Sequence, residues 1–213
     1  MNSNLSRKQS AQPEAALFRT KGFGADWTMR ADQGQPRAIK DLPPILRTLL
    51  VTDGTVTKCL EAYFWEPINV EDVAQSVQAA EASIDGLGLP AGSQILARSV
   101  RLMGVHSRTH YVTARSVVRL ENIPSTFREA LLSGRIGIGE LIRECGLETY
   151  RELQEIACTD RLPNEDRPAD DRGCVYRTYR ILIGGLPALL VSEYFPVAIY
   201  HRQSAGTETQ ALP

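Results

Sequence analysis

The chain has 213 residues, 43% of them hydrophobic and 23% charged, with a formal net charge of −1. This composition suits one globular domain with a real core and excludes bulk attraction to a polyanion such as nucleic acid. No apolar run is long enough to cross a bilayer, and residues 1–18 lack an apolar signal core, so a cytoplasmic address is expected.

Residues 1–37 are rich in Gln, Ser, Ala and Arg and show no sustained apolar period, which predicts a flexible tail or a loosely docked arm. One domain is expected over 38–202, with a short polar tail over 203–213. Asp41 reads as an N-cap ahead of Pro43 and Pro44, and Ile45, Leu46, Leu49 and Leu50 form a helical stripe. Asp53-Gly54-Thr55 breaks it, and Thr55 is placed to cap a second short helix running towards Tyr63. Over 68–80, Val70, Val73 and Val77 fit a helix while the β-branched content fits a strand.

Residues 93–103 form a strand with Leu96, Arg98, Val100 and Leu102 on one face, so Arg98 is a cation on an aliphatic surface. After a turn over 104–109 the chain returns along 110–120, with Val112, Ala114, Ser116 and Val118 on one face and Arg115 and Arg119 on the other. Ile123-Pro124-Ser125 starts a helix through Phe127 and Leu131 that Gly134 ends. Gly137 and Gly139 flank the start of another helical turn and leave backbone N–H groups around Ile138 open to an anion. Their spacing is not that of a dinucleotide-binding loop. Residues 147–158 are amphipathic and fit helix or strand, and 159–173 form a charged, proline-bearing loop.

The stretch Val175–Tyr200 is a hairpin, because Gly184-Gly185 between two β-rich runs supplies the positive φ that a two-residue turn needs. With Ile183 and Leu186 flanking the turn and pairing uninterrupted, Glu193 faces Tyr176 and shares a face with Leu189, Val191, Thr178 and Arg180. A carboxylate on so apolar a face needs a partner or a proton. Cys59, Cys145, Cys158 and Cys174 are widely and irregularly spaced with no His at ligand spacing beside them. Of His106, His110 and His201, the first two fall in a hairpin loop and read as solvated side chains in preference to a two-histidine metal site, so four reduced thiols and no metal site are expected. Hairpins separated by helical segments predict an α+β fold with an antiparallel sheet covered on one side. Its two charges on apolar faces, Arg98 and Glu193, pair with each other, reach the sheet edge and water, or meet opposite ends of a small carboxylated, hydroxylated ring.

The order DGTVTKCL at 53–60, LARSVRLMG at 96–104, ARSVV at 114–118, GIGELI at 137–142 and YRILIGGLPALLVSEYF at 179–195 resembles the chorismate pyruvate-lyase family, in particular its mycobacterial-type branch of 4-hydroxybenzoate-forming enzymes. The resemblance spans residues 40–200 and rests most on the last motif. It implies a single antiparallel sheet with helices on one side, helical flaps over a buried site, and a strand over 68–80. It also implies conversion of chorismate to 4-hydroxybenzoate and pyruvate, with no metal or organic cofactor, no nucleic acid and no membrane. By the same resemblance Arg98 holds the ligand carboxylate, Glu193 binds its hydroxyl, and the flap amides fall on Ile138 and Gly139. Val56, where relatives carry Met or Leu, lines the site, while Thr55 and Thr57 cap and pack and Arg115 is structural. Two alternatives stand beside this one: a relative acting on another chorismate-derived or aromatic acid, and a non-catalytic domain that binds a small aromatic acid. Oligomeric state is left open.

Overall fold

The computed structural model describes residues 28–32, 34–133, 136–163 and 173–204, with the side chains of 202–204 excepted. The strands are β1 Thr28–Ala31, β2 Arg37–Ala38, β3 Ile68–Ala79, β4 Gln94–Gly104, β5 His110–Arg119, β6 Thr149–Thr159, β7 Cys174–Ile183 and β8 Leu186–Pro196. They form one eight-stranded sheet in the order β2-β1-β6-β7-β8-β5-β4-β3. The helices are α1 Pro44–Val51, α2 Val56–Phe64, α3 Ser125–Leu132, α4 Ile138–Glu144 and α5 Val197–Ser204. Among the described residues no helix is long and apolar enough to cross a membrane.

The fold is α+β, but the sheet is mixed and not purely antiparallel. β1 runs parallel to β6 through Arg30↔Ala157 and Ala31↔Cys158. More than a hundred residues separate these strands, so no hairpin turn fixes their relative direction. Of the tail or docked arm expected over 1–37, residues 1–27 lie outside the described residues, while β1 and β2 belong to the sheet and so to the domain. At the other end α5 runs past the expected boundary at 202. Gly134 and the interior of the 159–173 loop lie outside the described residues.

Both ambiguous segments are strands. β3 is an edge strand, which explains its polar, largely exposed sequence. A bulge between Glu71 and Ala74, with Asp72 at φ 49°, interrupts its pairing. β6 carries a bulge between Leu153 and Glu155 that breaks its alternation. α1 begins on Pro44 with Pro43 at the N-cap, while Asp41 closes a preceding 3-10 turn and caps nothing. Thr55 sits at the N-cap of α2, yet its hydroxyl makes no capping bond.

The β7–β8 hairpin turns at Gly184 (φ 58°) and Gly185 (φ 80°), as its sequence requires. Ile183 pairs with Leu186 and Leu182 with Pro187, but the register then shifts so that Ile181 pairs with Leu189. Glu193 therefore faces Arg177, not Tyr176. A bulge moves every later residue of one strand by one place relative to its partner. The face bearing Glu193 thus carries Leu189, Val191, Arg177, Tyr179 and Ile181 in place of Thr178 and Arg180.

That face is the covered one. At one end α1 and α2 place Leu46, Leu49, Leu50 and Leu60 on Leu102, Val112, Val175 and Phe195. At the other, α3 and α4 place Phe127, Leu131 and Leu141 on Leu96, Val118, Ile181 and Leu189. These stripes of leucine and aromatic residues at helical spacing bind each helix pair to the sheet. Between the two apolar clusters the sheet carries its polar residues.

Candidate active site

The gap between the helix pairs is a pocket. Arg98 and Val100 of β4, Ala114 and Ser116 of β5, Val191 and Glu193 of β8, and Tyr179 of β7 form its floor. Residues 54–57, the turn into α2, form one half of the roof, and Gly137, Ile138 and Gly139 at the start of α4 form the other. The halves touch: a Cβ on Gly139 would stand 3.0 Å from Thr55 Cγ2. Ile138 and Gly139 begin α4, where backbone N–H groups have no acceptor within the helix. Val56 opens α2, lines the pocket and is 4% exposed.

Arg98 is 4% exposed. Its Nη2 donates to the carbonyl of Ile136 at 2.8 Å, which ties the α3–α4 connection to the sheet. Its Nε, also buried, has no partner. Burial alone lowers its pKa, and among the described residues no carboxylate makes an ion pair with it. A buried donor without an acceptor is costly and marks where a ligand oxygen would be welcome.

Glu193 is answered from within the sheet. Arg177 Nε donates to Oε2 at 2.7 Å and the Tyr179 hydroxyl donates to Oε1 at 3.0 Å. Arg177 is 2% exposed, its Nη1 donates to the carbonyl of Thr52 at 2.7 Å, and its guanidinium lies 4.8 Å from the centre of the Tyr179 ring. Burial is the largest single influence on Arg177 and works against its charge, but Glu193 together with Tyr179 and Asp53 outweighs it and the pKa is raised. Burial first, and then the charge of Glu193, push the Tyr179 hydroxyl well above its ordinary value, which keeps it a neutral donor. Glu193 thus faces the pocket as an acceptor held in place on two sides.

All five residues expected at the site, Arg98, Glu193, Val56, Ile138 and Gly139, line this one pocket. Arg98 and Glu193 do not pair with each other; they lie on β4 and β8 with β5 between them. Arg115 lies on the opposite face and is exposed. Sequence reasoning missed Arg177 and Tyr179 because the bulge moved them onto the site face. Pro187 was the available signal, since proline inside a central strand is accommodated at a bulge. It also missed Arg151 of β6, which lines the pocket and donates from Nη1 to the carbonyl of Asp53 at 2.6 Å.

Comparison with known proteins bears on this arrangement. The model of the family described as Rv2949c-like chorismate pyruvate-lyases matches residues 50–203. The chorismate pyruvate-lyase of Mycobacterium leprae is 30% identical over 169 residues, which is 76% of this chain and 79% of that protein. That of Mycobacterium tuberculosis H37Rv is 25% identical over 169 residues, 76% of this chain and 84% of that protein. Among solved structures, PhnF from Mycobacterium smegmatis superposes with a TM-score of 0.50 at 16% identity, over 68% of this chain and 65% of that one, a likeness of fold.

Proposed function

The chain belongs to the Rv2949c-like chorismate pyruvate-lyase family, and on that premise we propose that it eliminates pyruvate from chorismate to leave 4-hydroxybenzoate, with Arg98 and Glu193 at opposite ends of the ring. Arg98 holds the ring carboxylate through the edge that Ile136 leaves free. Glu193 accepts a hydrogen bond from the ring hydroxyl, with Arg177 and Tyr179 fixing its orientation. The amides of Ile138 and Gly139 close over a ligand oxygen, and Val56 packs on the ring.

The chemistry asks little of the protein beyond this. The C–H bond at the hydroxyl-bearing carbon breaks, and its electron pair becomes the new ring double bond. The neighbouring C–O bond breaks with it, and enolpyruvate leaves and gains a proton to become pyruvate. Aromatisation drives the step, so the pocket contributes orientation, exclusion of water and a carboxylate beside the hydroxyl-bearing carbon. The scheme draws on no metal or organic cofactor.

The observation that carries this reading is a buried guanidinium with an unpartnered Nε facing the same apolar pocket as a carboxylate already oriented by two donors. The test is incubation of the purified protein with chorismate and identification of products by mass. Pyruvate and 4-hydroxybenzoate in equal amounts are expected. Another aromatic product would indicate a different regiochemistry, and tight binding of 4-hydroxybenzoate without turnover would replace the lyase with a binding domain.

A further inference from the structure

The pocket has a second cation that the scheme above leaves idle. Across the sheet, Arg151 stands in the row Arg151–Ile181–Leu189–Val118–Leu96, and Arg98 stands in the adjacent row Leu153–Tyr179–Val191–Ser116–Arg98. The two arginines are four strands apart, about 19 Å between backbones at ordinary strand spacing. Both side chains reach the pocket, from opposite ends. They are held alike. Arg98 donates to the carbonyl of Ile136, just before one roof half, and Arg151 to that of Asp53, just before the other. In each case the buried Nε has no partner.

Charge decides what they await. Glu193 is matched by Arg177 at 2.7 Å, so it balances neither Arg98 nor Arg151. Among the described residues neither Arg98 nor Arg151 makes an ion pair, so the pocket presents a guanidinium group at each end, and the complementary ligand carries two negative charges. Two planar forks suit two carboxylates better than one.

We infer that Arg151 binds the carboxylate of the substrate's enolpyruvyl side chain, the one that departs with pyruvate, while Arg98 holds the ring carboxylate. The inference rests on the lyase reading and adds to it the residue that selects a dicarboxylate. As the C–O bond breaks, the departing group remains anchored beside a cation and away from the Glu193 carboxylate. The aromatic product has a single carboxylate and leaves Arg151 empty.

The two products separate this from a purely structural latch between Arg151 and Asp53. Calorimetry measures 4-hydroxybenzoate binding, and then pyruvate binding to the 4-hydroxybenzoate-loaded protein, for the wild type, Arg151→Gln and Arg151→Lys. In the wild type pyruvate binds the loaded protein. Arg151→Gln abolishes that binding or weakens it by about ten- to a hundredfold, leaves 4-hydroxybenzoate affinity within about twofold, and raises the KM for chorismate by a similar factor. Arg151→Lys, which keeps a donor for Asp53 but not the fork, falls between. Absence of pyruvate binding in the wild type, equal pyruvate binding in wild type and variants, or parallel loss of both products overturns the assignment. Should Arg151→Gln not fold, the wild type and Arg151→Lys decide. Because no turnover is required, failure of the chorismate assay sinks the lyase reading separately.

Discussion

Gly139 and Thr55 meet where the two helix pairs close over the pocket. A Cβ on Gly139 would lie 3.0 Å from Thr55 Cγ2 and 3.2 Å from Oγ1, closer than side chains ordinarily approach. The glycine is at the second position of a helix, so its backbone does not demand it; the neighbouring side chain does. Gly139→Ala is expected to push the roof halves apart at a cost of about 1 kcal/mol, seen as a roughly fivefold rise in the KM for chorismate. Adding Thr55→Ser, which removes the nearer methyl, should restore most of the loss. Additive effects in the double variant would show that the contact is not what closes the site.

Glu193 is both a site residue and half of a buried ion pair, and the two roles call for different substitutions. Glu193→Ala strands Arg177 in the core, and breaking such a pair costs about 3–5 kcal/mol, so its loss of activity would be ambiguous. Glu193→Gln keeps an acceptor for Arg177 Nε or Tyr179 and keeps the volume. It should remain folded in a urea titration while kcat falls by about 10²- to 10⁴-fold. A folded Glu193→Gln protein with undiminished kcat would remove the carboxylate from the chemistry.

Tyr179→Phe isolates the second donor to Glu193. The loss is one hydrogen bond of 3.0 Å to a buried carboxylate that Arg177 still holds. A fall in kcat/KM of about tenfold is expected, with little change in product affinity. A loss as large as that of Glu193→Gln would mean that the phenol itself handles the proton.

The fold and half of the site were legible because they follow from alternation. Leu96, Arg98, Val100 and Leu102 fall on one face in sequence and in space, as do Val112, Ala114, Ser116 and Val118. Gly184-Gly185 placed the turn correctly for the same reason: few residues accept its backbone. What escaped was the partner set of Glu193. The single extra residue at Ala188 swaps the faces of β7 relative to β8, converting Tyr176 to Arg177 as the opposite neighbour. Arg151 escaped because the β6 bulge hid its alternation and left helix and strand equally plausible. The parallel β1–β6 pair rests on only two registered residue pairs far apart in the chain, which no local pattern announces.

Arg98 offers a pH test. It is buried, it makes no ion pair among the described residues, and burial already lowers its pKa, yet arginine starts so high that it stays charged. Lysine at this position starts lower and meets the same desolvation. Arg98→Lys is therefore expected to raise the KM for chorismate by about ten- to a hundredfold and to weaken 4-hydroxybenzoate as well, unlike Arg151→Gln. Its activity should fall as pH rises from about 6 to about 9, a range in which the wild-type Arg98 does not titrate. A flat profile in the lysine variant would mean that the site is wetter than its burial implies.

Glu66 governs acid stability from the far end of α2. Its carboxylate accepts from the Tyr111 hydroxyl at 2.5 Å, from the backbone N–H groups of His106 and Ser107 at 3.0 Å each, and from Ser107 Oγ at 2.7 Å. The Tyr111 bond, then the Ser107 amide, hold its pKa at about 2, below the ordinary 4.5. Glu66 follows directly on Trp65, the left-handed residue that ends α2, so it fastens that helix to the β4–β5 turn. A depressed carboxylate pKa adds stability that is complete above about pH 4.5 and is lost as pH falls towards about 2. Glu66→Gln should accordingly lower the melting temperature at neutral pH, with the gap to the wild type closing steadily below pH 4.5. Melting curves at several pH values check this, and a gap that stays constant down to acid would mean that the amide loses shape complementarity and not charge.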